Sequence, residues 1–366
     1  TGLMAPGRLQ LGWAGVGHLG RAHARILSQL PGVERLGVAD PMVEQSQAVA
    51  SERQCRAFAS HEPLLDLVEA MVVVTPTRYH HVVATDALRH GLPVFVEKPL
   101  ASTSQQAAEL VDLARRCGVP LQVGHIERFN PAYEALRRRN IRSHYIRADR
   151  AGPFSGRSLD IGVVLDLMIH DIDLVLDQAR GAEVIRVEAM GASILGGHED
   201  VAQARLVMGD GLVADLSACR CQPTAVRQMH LWGANGFATL DFSNKSMRYV
   251  MPSEDITAGR LRAPEMSPEG IQDLKETIFQ KHLVPGETTC PGPHDALTSE
   301  LIDFVAAIRQ QRAPRVDGRA GQRAIEVAER ILQAMEKHAW TGHPSNPMGP
   351  RELPSISRHE LRGNAA

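Results

Sequence analysis

The chain has 366 residues, of which 43% are hydrophobic and 22% charged, with a net charge of −2. That length can build two domains with separate cores, and intermixed charge without a basic block excludes nucleic acid as an expected partner. No apolar run reaches the roughly 18 residues of a membrane-spanning helix, and the opening TGLMAPGRLQ lacks the long apolar stretch of a secretory signal. Five scattered cysteines, Cys55, Cys117, Cys219, Cys221 and Cys290, form no disulfide framework, which fits a reducing, cytoplasmic setting. Cys219 and Cys221 make a C-x-C, but no second pair with zinc-type spacing accompanies it, so no metal site is expected.

After a disordered start expected over residues 1–8, an apolar strand is predicted over 9–14. It is followed by Gly15, Gly17 and Gly20 in a G-x-G-x-x-G pattern and by a helix over 18–30. The next strand, GVERLGVAD, ends in Asp40, 20 residues after Gly20. Gly15 allows a tight turn, Gly17 lets a pyrophosphate approach the backbone, and Gly20 lets helix and strand pack closely. The helix N-terminus, with His18 and Leu19 in its first turn, offers free N–H groups to phosphate. Asp40 can accept hydrogen bonds from ribose hydroxyls. A strand before the glycines, a helix after them and an acid at this distance together mark a dinucleotide site. Pro41, Met42 and Val43 follow, with no Arg to hold a 2′-phosphate, so NAD is favoured over NADP.

The alternation continues. AMVVVTP (70–76) and PVFVEKPL (93–100) read as buried parallel strands. HHVVATDALRHG reads as a helix closed by Gly91. STSQQAAELVDLARRCG reads as a helix capped by Ser102 or Ser104 and stopped by Gly118, and PLQVGHIERF opens the next strand. Such an order gives an α/β, doubly wound parallel sheet over 9–124. Its ligands bind at the C-terminal strand ends, where Thr75, Pro76, Glu97, Lys98, Pro99, Gly124 and His125 fall. His80 and His81 are either ordinary residues of a helix start or cofactor neighbours.

GVGHLG, TPTRYHH, VEKPL and DLMIHDID, in this order, resemble the Gfo/Idh/MocA oxidoreductases. The resemblance extends to LTSELIDFVAAIRQQRAPRVDGRAGQRAIEVAERIL (297–332) and covers most of residues 9–340. It implies a Rossmann domain followed by an α+β domain with a large open, mostly antiparallel sheet over 125–340, with closing helices over 297–338 and a loose tail over 341–366. It implies hydride transfer between nicotinamide and a sugar or polyol carbinol carbon. It makes Lys98 the lysine of the E-K-P motif and Asp166 and His170 the paired residues of the catalytic helix. It implies a cofactor face made of the glycine loop, Asp40, Thr75, Pro76, His80, Glu97 and Lys98, and a homodimer or homotetramer through one face of the second sheet.

The chemistry fits those residue types. Oxidising an alcohol needs a base within hydrogen-bond reach of the hydroxyl. An imidazole, with an ordinary pKa of about 6.5, can take that proton. A lysine can stabilise charge on the oxygen or, when desolvated, act as the base. The base is therefore Lys98 or His170. On a helix Asp166 and His170 are i and i+4 and share a face. Leu165, Leu167, Met168, Ile169 and Ile172 are expected to bury the remainder, with Asp171 and Asp173 as flanking surface acids or partners for Arg.

VGHIERFNPAYEALR (123–137) and the stretch 147–176 further resemble a subgroup that oxidises nucleotide sugars, the UDP-N-acetylglucosamine 3-dehydrogenases, whose product feeds an amino sugar of lipid A. Arg128, Arg147, Arg150 and Arg157 could then bind diphosphate or form a solvated face, Asn130 and His125 could meet sugar groups, and Phe129 and Tyr133 could pack on a ring or fill the domain junction. A free-sugar or inositol dehydrogenase is the alternative. A non-catalytic NAD(H) sensor is the reading from another class.

Beyond residue 140, alternating runs such as SHYIRADR, VIRVEAMGASIL and SMRYVM read as antiparallel strands, with hairpin signals at Asp210-Gly211 and Asn235-Gly236. Residues 251–293, rich in Pro, Gly and charge, read as a mobile excursion.

Overall fold

Strands that are apolar on both faces must be covered on both faces, and the first unit is built on that requirement. The computed structural model describes residues 7–156, 160–195 and 197–337. The described residues form two compact units, residues 7–129 with 293–329, and residues 130–292 with 330–337.

In the first unit, β1 (Leu9–Ala14), α1 (His18–Leu27), β2 (Val33–Ala39), α2 (Val43–Arg53), β3 (Arg56–Phe58), α3 (Glu62–Leu65), β4 (Ala70–Val73), α4 (Thr77–Arg89), β5 (Val94–Glu97), α5 (Ser104–Cys117) and β6 (Leu121–Gly124) alternate along the chain. The six strands pair in the order β3-β2-β1-β4-β5-β6, all parallel. Every residue of β4, β5 and β6 is buried. The strand order reverses between β1 and β4, which opens a crevice at their C-terminal ends. Thr103, rather than Ser102 or Ser104, caps α5 by accepting the Gln106 N–H. Gly118 ends that helix in the left-handed conformation, as its sequence position predicts.

The second unit begins with α6 (Pro131–Arg139) and β7 (Tyr145–Ala151), followed by a π-helical turn (Val164–Met168) that runs into α7 (Ile169–Gln178). Next come β8 (Val184–Ala192), β9 (Val201–Met208), β10 (Val213–Cys219), β11 (Val226–Gly233), β12 (Gly236–Asp241) and β13 (Ser246–Pro252). After α8 (Glu254–Thr257) and α9 (Pro268–Thr277), β14 (Leu283–Thr289) returns to the sheet. The order is β14-β13-β12-β11-β7-β10-β9-β8. Only β7 and β10 pair in parallel; every other neighbour is antiparallel. β9 and β10 alternate buried with more accessible residues, and small buried residues (Ala148, Ala214, Ala218) line the face on which the π turn and α7 lie. The excursion after β13 is partly ordered: α8 and α9 bury no residue, but β14 pairs with β13 along its whole length. Pro285 and Gly286 suit β14 to the sheet edge, where a missing N–H costs no ladder bond.

Two closing helices follow, α10 (Ala296–Gln310) and α11 (Gly318–Glu336). Residues 293–329 belong to the first unit. Leu301, Phe304 and Val305 of α10 join the core that holds Leu11, Trp13 and Phe95, and the Phe304 ring meets Phe95 edge-on at 5.9 Å. Among the described residues no helix is long and apolar enough to cross a membrane.

Asp171 and Arg150 are not surface groups. Arg150 on β7 donates from Nε and Nη2 to both carboxylate oxygens of Asp171 on α7, each at 2.9 Å, and both side chains are buried. The guanidinium also lies over the Phe242 ring. Breaking a buried pair is costlier than replacing it. Arg150→Met is expected to lower the stability of the second unit by about 3–5 kcal/mol, and adding Asp171→Leu to recover most of that loss, both read from denaturant unfolding.

Candidate active site

The glycine loop has two positions that tolerate no side chain and one that faces open space. Gly15 has φ +100°, and a Cβ there would lie 2.5 Å from the Val74 carbonyl oxygen and 2.8 Å from the Thr75 nitrogen. A Cβ at Gly20 would overlap the Gly15 carbonyl. At Gly17 a Cβ would meet nothing within 4 Å, and Gly17, His18 and Leu19 are exposed. No side chain caps α1, and its first turn carries no acid. Its leading N–H groups are therefore available to an anion.

Asp40 closes the adjacent rim. Its Oδ2 accepts the Val16 N–H and its Oδ1 the Met42 N–H, each at 2.9 Å. Each oxygen keeps a second lone pair for a hydroxyl donor. At the end of β4, Pro76 is exposed, and the Thr75 hydroxyl is buried without a hydrogen-bond partner among the described residues. Open space before an uncapped helix, an acid without a following base and an orphaned hydroxyl fit NAD.

The E-K-P turn leaves β5 through a cis Lys98–Pro99 bond. Glu97 faces inward. Its Oε1 is 2.7 Å from His23 Nε2, and its Oε2 accepts the Lys98 backbone N–H at 3.1 Å. Burial alone would raise the Glu97 carboxyl. The His23 hydrogen bond and the His23 and Lys98 charges outweigh it and hold the group below the usual carboxylate range. His80, expected beside the cofactor, is buried, with Nδ1 2.8 Å from the Pro99 carbonyl and Nε2 2.8 Å from the Thr75 carbonyl. Burial pulls its pKa down, while the two carbonyls and Glu97 work the other way. Glu97 and His80 are thus internal braces of the rim, while Lys98 is half-buried at its edge. His81 pairs instead with Glu109. His23 did not enter the sequence expectation. Its only signal is an imidazole set in the buried stripe Gly20, His23, Ala24 and Leu27 of α1.

Beyond β6, His125 and Arg128 are both buried, and Phe129 packs under the Arg315 guanidinium at 4.9 Å. Asn130 is a helix cap. Its Oδ1 accepts the Ala132 N–H, and its Nδ2 donates to the Phe242 carbonyl. Tyr133 is a core residue whose hydroxyl donates to Asp177 at 2.6 Å. Arg150 is engaged by Asp171, and Arg147 lies exposed beside Asp149. Arg157 falls outside the described residues.

The helix of the second unit that carries Asp166 and His170 starts with its π turn, and π turns recur at functional sites. Leu165, Asp166, Leu167 and His170 are half-exposed, whereas Val163, Val164, Met168, Ile169 and Ile172 are buried. Leu165 and Leu167 thus join the polar pair on the accessible face instead of burying the helix. Asp173 is buried, not a surface acid. Glu199, also absent from the sequence expectation, holds the turn by accepting the Val164 N–H at 2.9 Å. A Cβ on Gly162 would overlap its carboxylate. Burial raises the Glu199 pKa against that hydrogen bond. Among the described residues no group of three or more His, Cys, Asp or Glu side chains is placed to hold a metal.

Residues 9–125 match the model of an oxidoreductase family with an NAD-binding Rossmann fold, and residues 136–239 match the Gfo/Idh/MocA C-terminal domain. The chain is 35% identical over 332 residues to a UDP-N-acetylglucosamine 3-dehydrogenase of Acidithiobacillus ferrooxidans, covering 90% of this chain and 97% of that one. A solved structure of that enzyme superposes with a TM-score of 0.78 at 33% identity, covering 89% of this chain and 97% of the other. A scyllo-inositol 2-dehydrogenase (NAD(+)) of Bacillus subtilis is 28% identical over 57% of this chain and 66% of its own length. With the glycine loop, the E-K-P turn and the Asp-His helix in place, the chain belongs to the Gfo/Idh/MocA family of NAD-dependent oxidoreductases.

Proposed function

We propose that the chain oxidises C3 of a UDP-N-acetylhexosamine to a ketone. The observation that carries this reading is the 35% identity to a UDP-N-acetylglucosamine 3-dehydrogenase across nearly the full length of both chains. Lys98, Asp166 and His170 are all present.

The oxidation removes a hydride from carbon and a proton from oxygen. NAD, when bound, supplies the hydride acceptor. Lys98 stabilises negative charge on the substrate oxygen. The proton passes to His170 or to Lys98, and Asp166 orients the imidazole or holds a neighbouring hydroxyl. The inositol dehydrogenase relative supports a second reading, a cyclic polyol as substrate.

We also infer that a second copy of the chain covers the open face of the second sheet. Trp232 is in register between Tyr145 and Phe237, with Trp232 and Phe237 each 37% exposed. The rings of Tyr145 and His230 pack on Trp232. An aromatic row of this kind suits an interface core. Free cysteines at all five positions suit a reducing compartment.

NAD with UDP-N-acetylglucosamine, coupled to a ketone trap or an aminotransferase, is expected to yield NADH. Lys98→Ala and His170→Ala are each expected to cut turnover by about 10²–10⁴-fold. If NAD binds without turnover, while inositols or free sugars react, the polyol reading replaces the nucleotide-sugar one. In sedimentation, the wild-type chain is expected to run as a dimer or tetramer and Trp232→Glu as a smaller species. A monomeric wild type would end the assembly reading.

A further inference from the structure

The E-K-P turn is held by two buried histidines from different helices. From α1, His23 reaches Glu97 at 2.7 Å and is itself fully buried. From α4, His80 bridges the Pro99 and Thr75 carbonyls. Between them Glu97 accepts the backbone N–H of Lys98. Glu97 accepts the Lys98 N–H through one oxygen, and an ionised carboxylate can only accept, so the Nε2–H tautomer of His23 would be the donor to the other oxygen. Gly124 on β6 leaves room for the carboxylate, because a Cβ there would lie 2.7 Å from Glu97 Oε2. The charged and titratable groups acting on Glu97 are His23 and Lys98, and Glu97 and Lys98 in turn act on His80.

We propose that His23 is a positioning residue for Lys98, acting through the Glu97 carboxylate that fixes the Lys98 backbone. The inference rests on the reading of Lys98 as the group on the substrate oxygen. A buried carboxylate that loses a donor must protonate or turn toward water. Either response releases the Lys98 amide and the point from which its side chain departs. The same helix presents the glycine loop at its N-terminus, so the pair also ties the phosphate-facing end of α1 to the reacting lysine.

Hydrogen exchange on the full apo chain tests this without any substrate. Pro99 has no N–H, so peptides spanning the turn isolate the Lys98 amide well. His23→Leu is expected to speed Lys98 exchange by about tenfold or more, as for loss of a hydrogen bond to a charged group, while the β4 amides stay protected. With whichever sugar turns over, kcat is expected to fall by about tenfold or more and KM for NAD to stay within about twofold. His23→Gln, whose amide N–H reaches the place of Nε2, is expected to restore both. Should His23→Leu fail to fold, His23→Asn, an amide too short to reach Glu97, takes its place with the same expectation. Unchanged Lys98 exchange, or His23→Gln as impaired as His23→Leu, would overturn the proposal. A wrong sugar assignment would silence only the turnover readout and leave the exchange readout standing.

Discussion

A side chain cannot exist where the chain crosses the end of β4. Gly15 lies so close to the Val74 carbonyl and the Thr75 nitrogen that a Cβ would overlap both. The crossing sets the path of the loop from β1 into α1. It leaves Gly17 and the uncapped N-terminus of α1 facing open space. It also lets Val16 offer its N–H to Asp40 at the end of the neighbouring β2. Cofactor recognition in this unit is therefore first a backbone property. Polar side chains then refine it, because a backbone N–H array needs no rotamer to be frozen before it meets phosphate.

The functional residues are in turn held by buried polar groups rather than by packing alone. Arg150 grips Asp171 next to His170, Glu199 holds the first turn of the helix that carries Asp166 and His170, and His23 and His80 hold the E-K-P turn. Apolar packing is tolerant: similar volumes can slide or repack at modest cost. A buried carboxylate is not tolerant, because a small displacement leaves it with unmet lone pairs in a low dielectric. Directional bonds at these places fix a backbone where a catalytic side chain departs, at the expense of the desolvation that each buried charge entails.

The sequence made the local features legible and hid the long-range ones. Five of the six parallel strands, the glycine loop, the stop at Gly118 and the hairpin at Asp210-Gly211 follow from composition and periodicity over a few residues, and the structure holds them there; the three-residue edge strand Arg56–Phe58 is too short to carry such a signal. Periodicity in α10 shows that Leu301, Phe304 and Val305 face a core. It cannot show that this core is the first one, 200 residues back along the chain. The destinations of polar side chains were hidden for the same reason. Asn130, His80, Tyr133 and Arg150 are chemically fit to bind a sugar nucleotide, and each is engaged inside its own unit. A sequence gives a donor's type, but only the fold gives its partner.

Both levels combine in the π turn of the helix that carries Asp166 and His170. The i, i+4 spacing of Asp166 and His170 places them on one face in a regular helix. In a regular helix Leu165 and Leu167 would then flank that face and turn largely away from solvent. The wider turn over Val164–Met168 instead leaves Leu165, Asp166, Leu167 and His170 all half-exposed, with Val164 and Met168 buried beneath them. A π turn is intrinsically rare and persists where its surroundings hold it. Here the hold is Glu199 on the Val164 N–H, with Gly162 leaving space for the carboxylate. The accessible face therefore pairs an acid and an imidazole with two leucines. On the proposed function, the leucines of that surface would meet the apolar face of a sugar ring and its polar pair a hydroxyl.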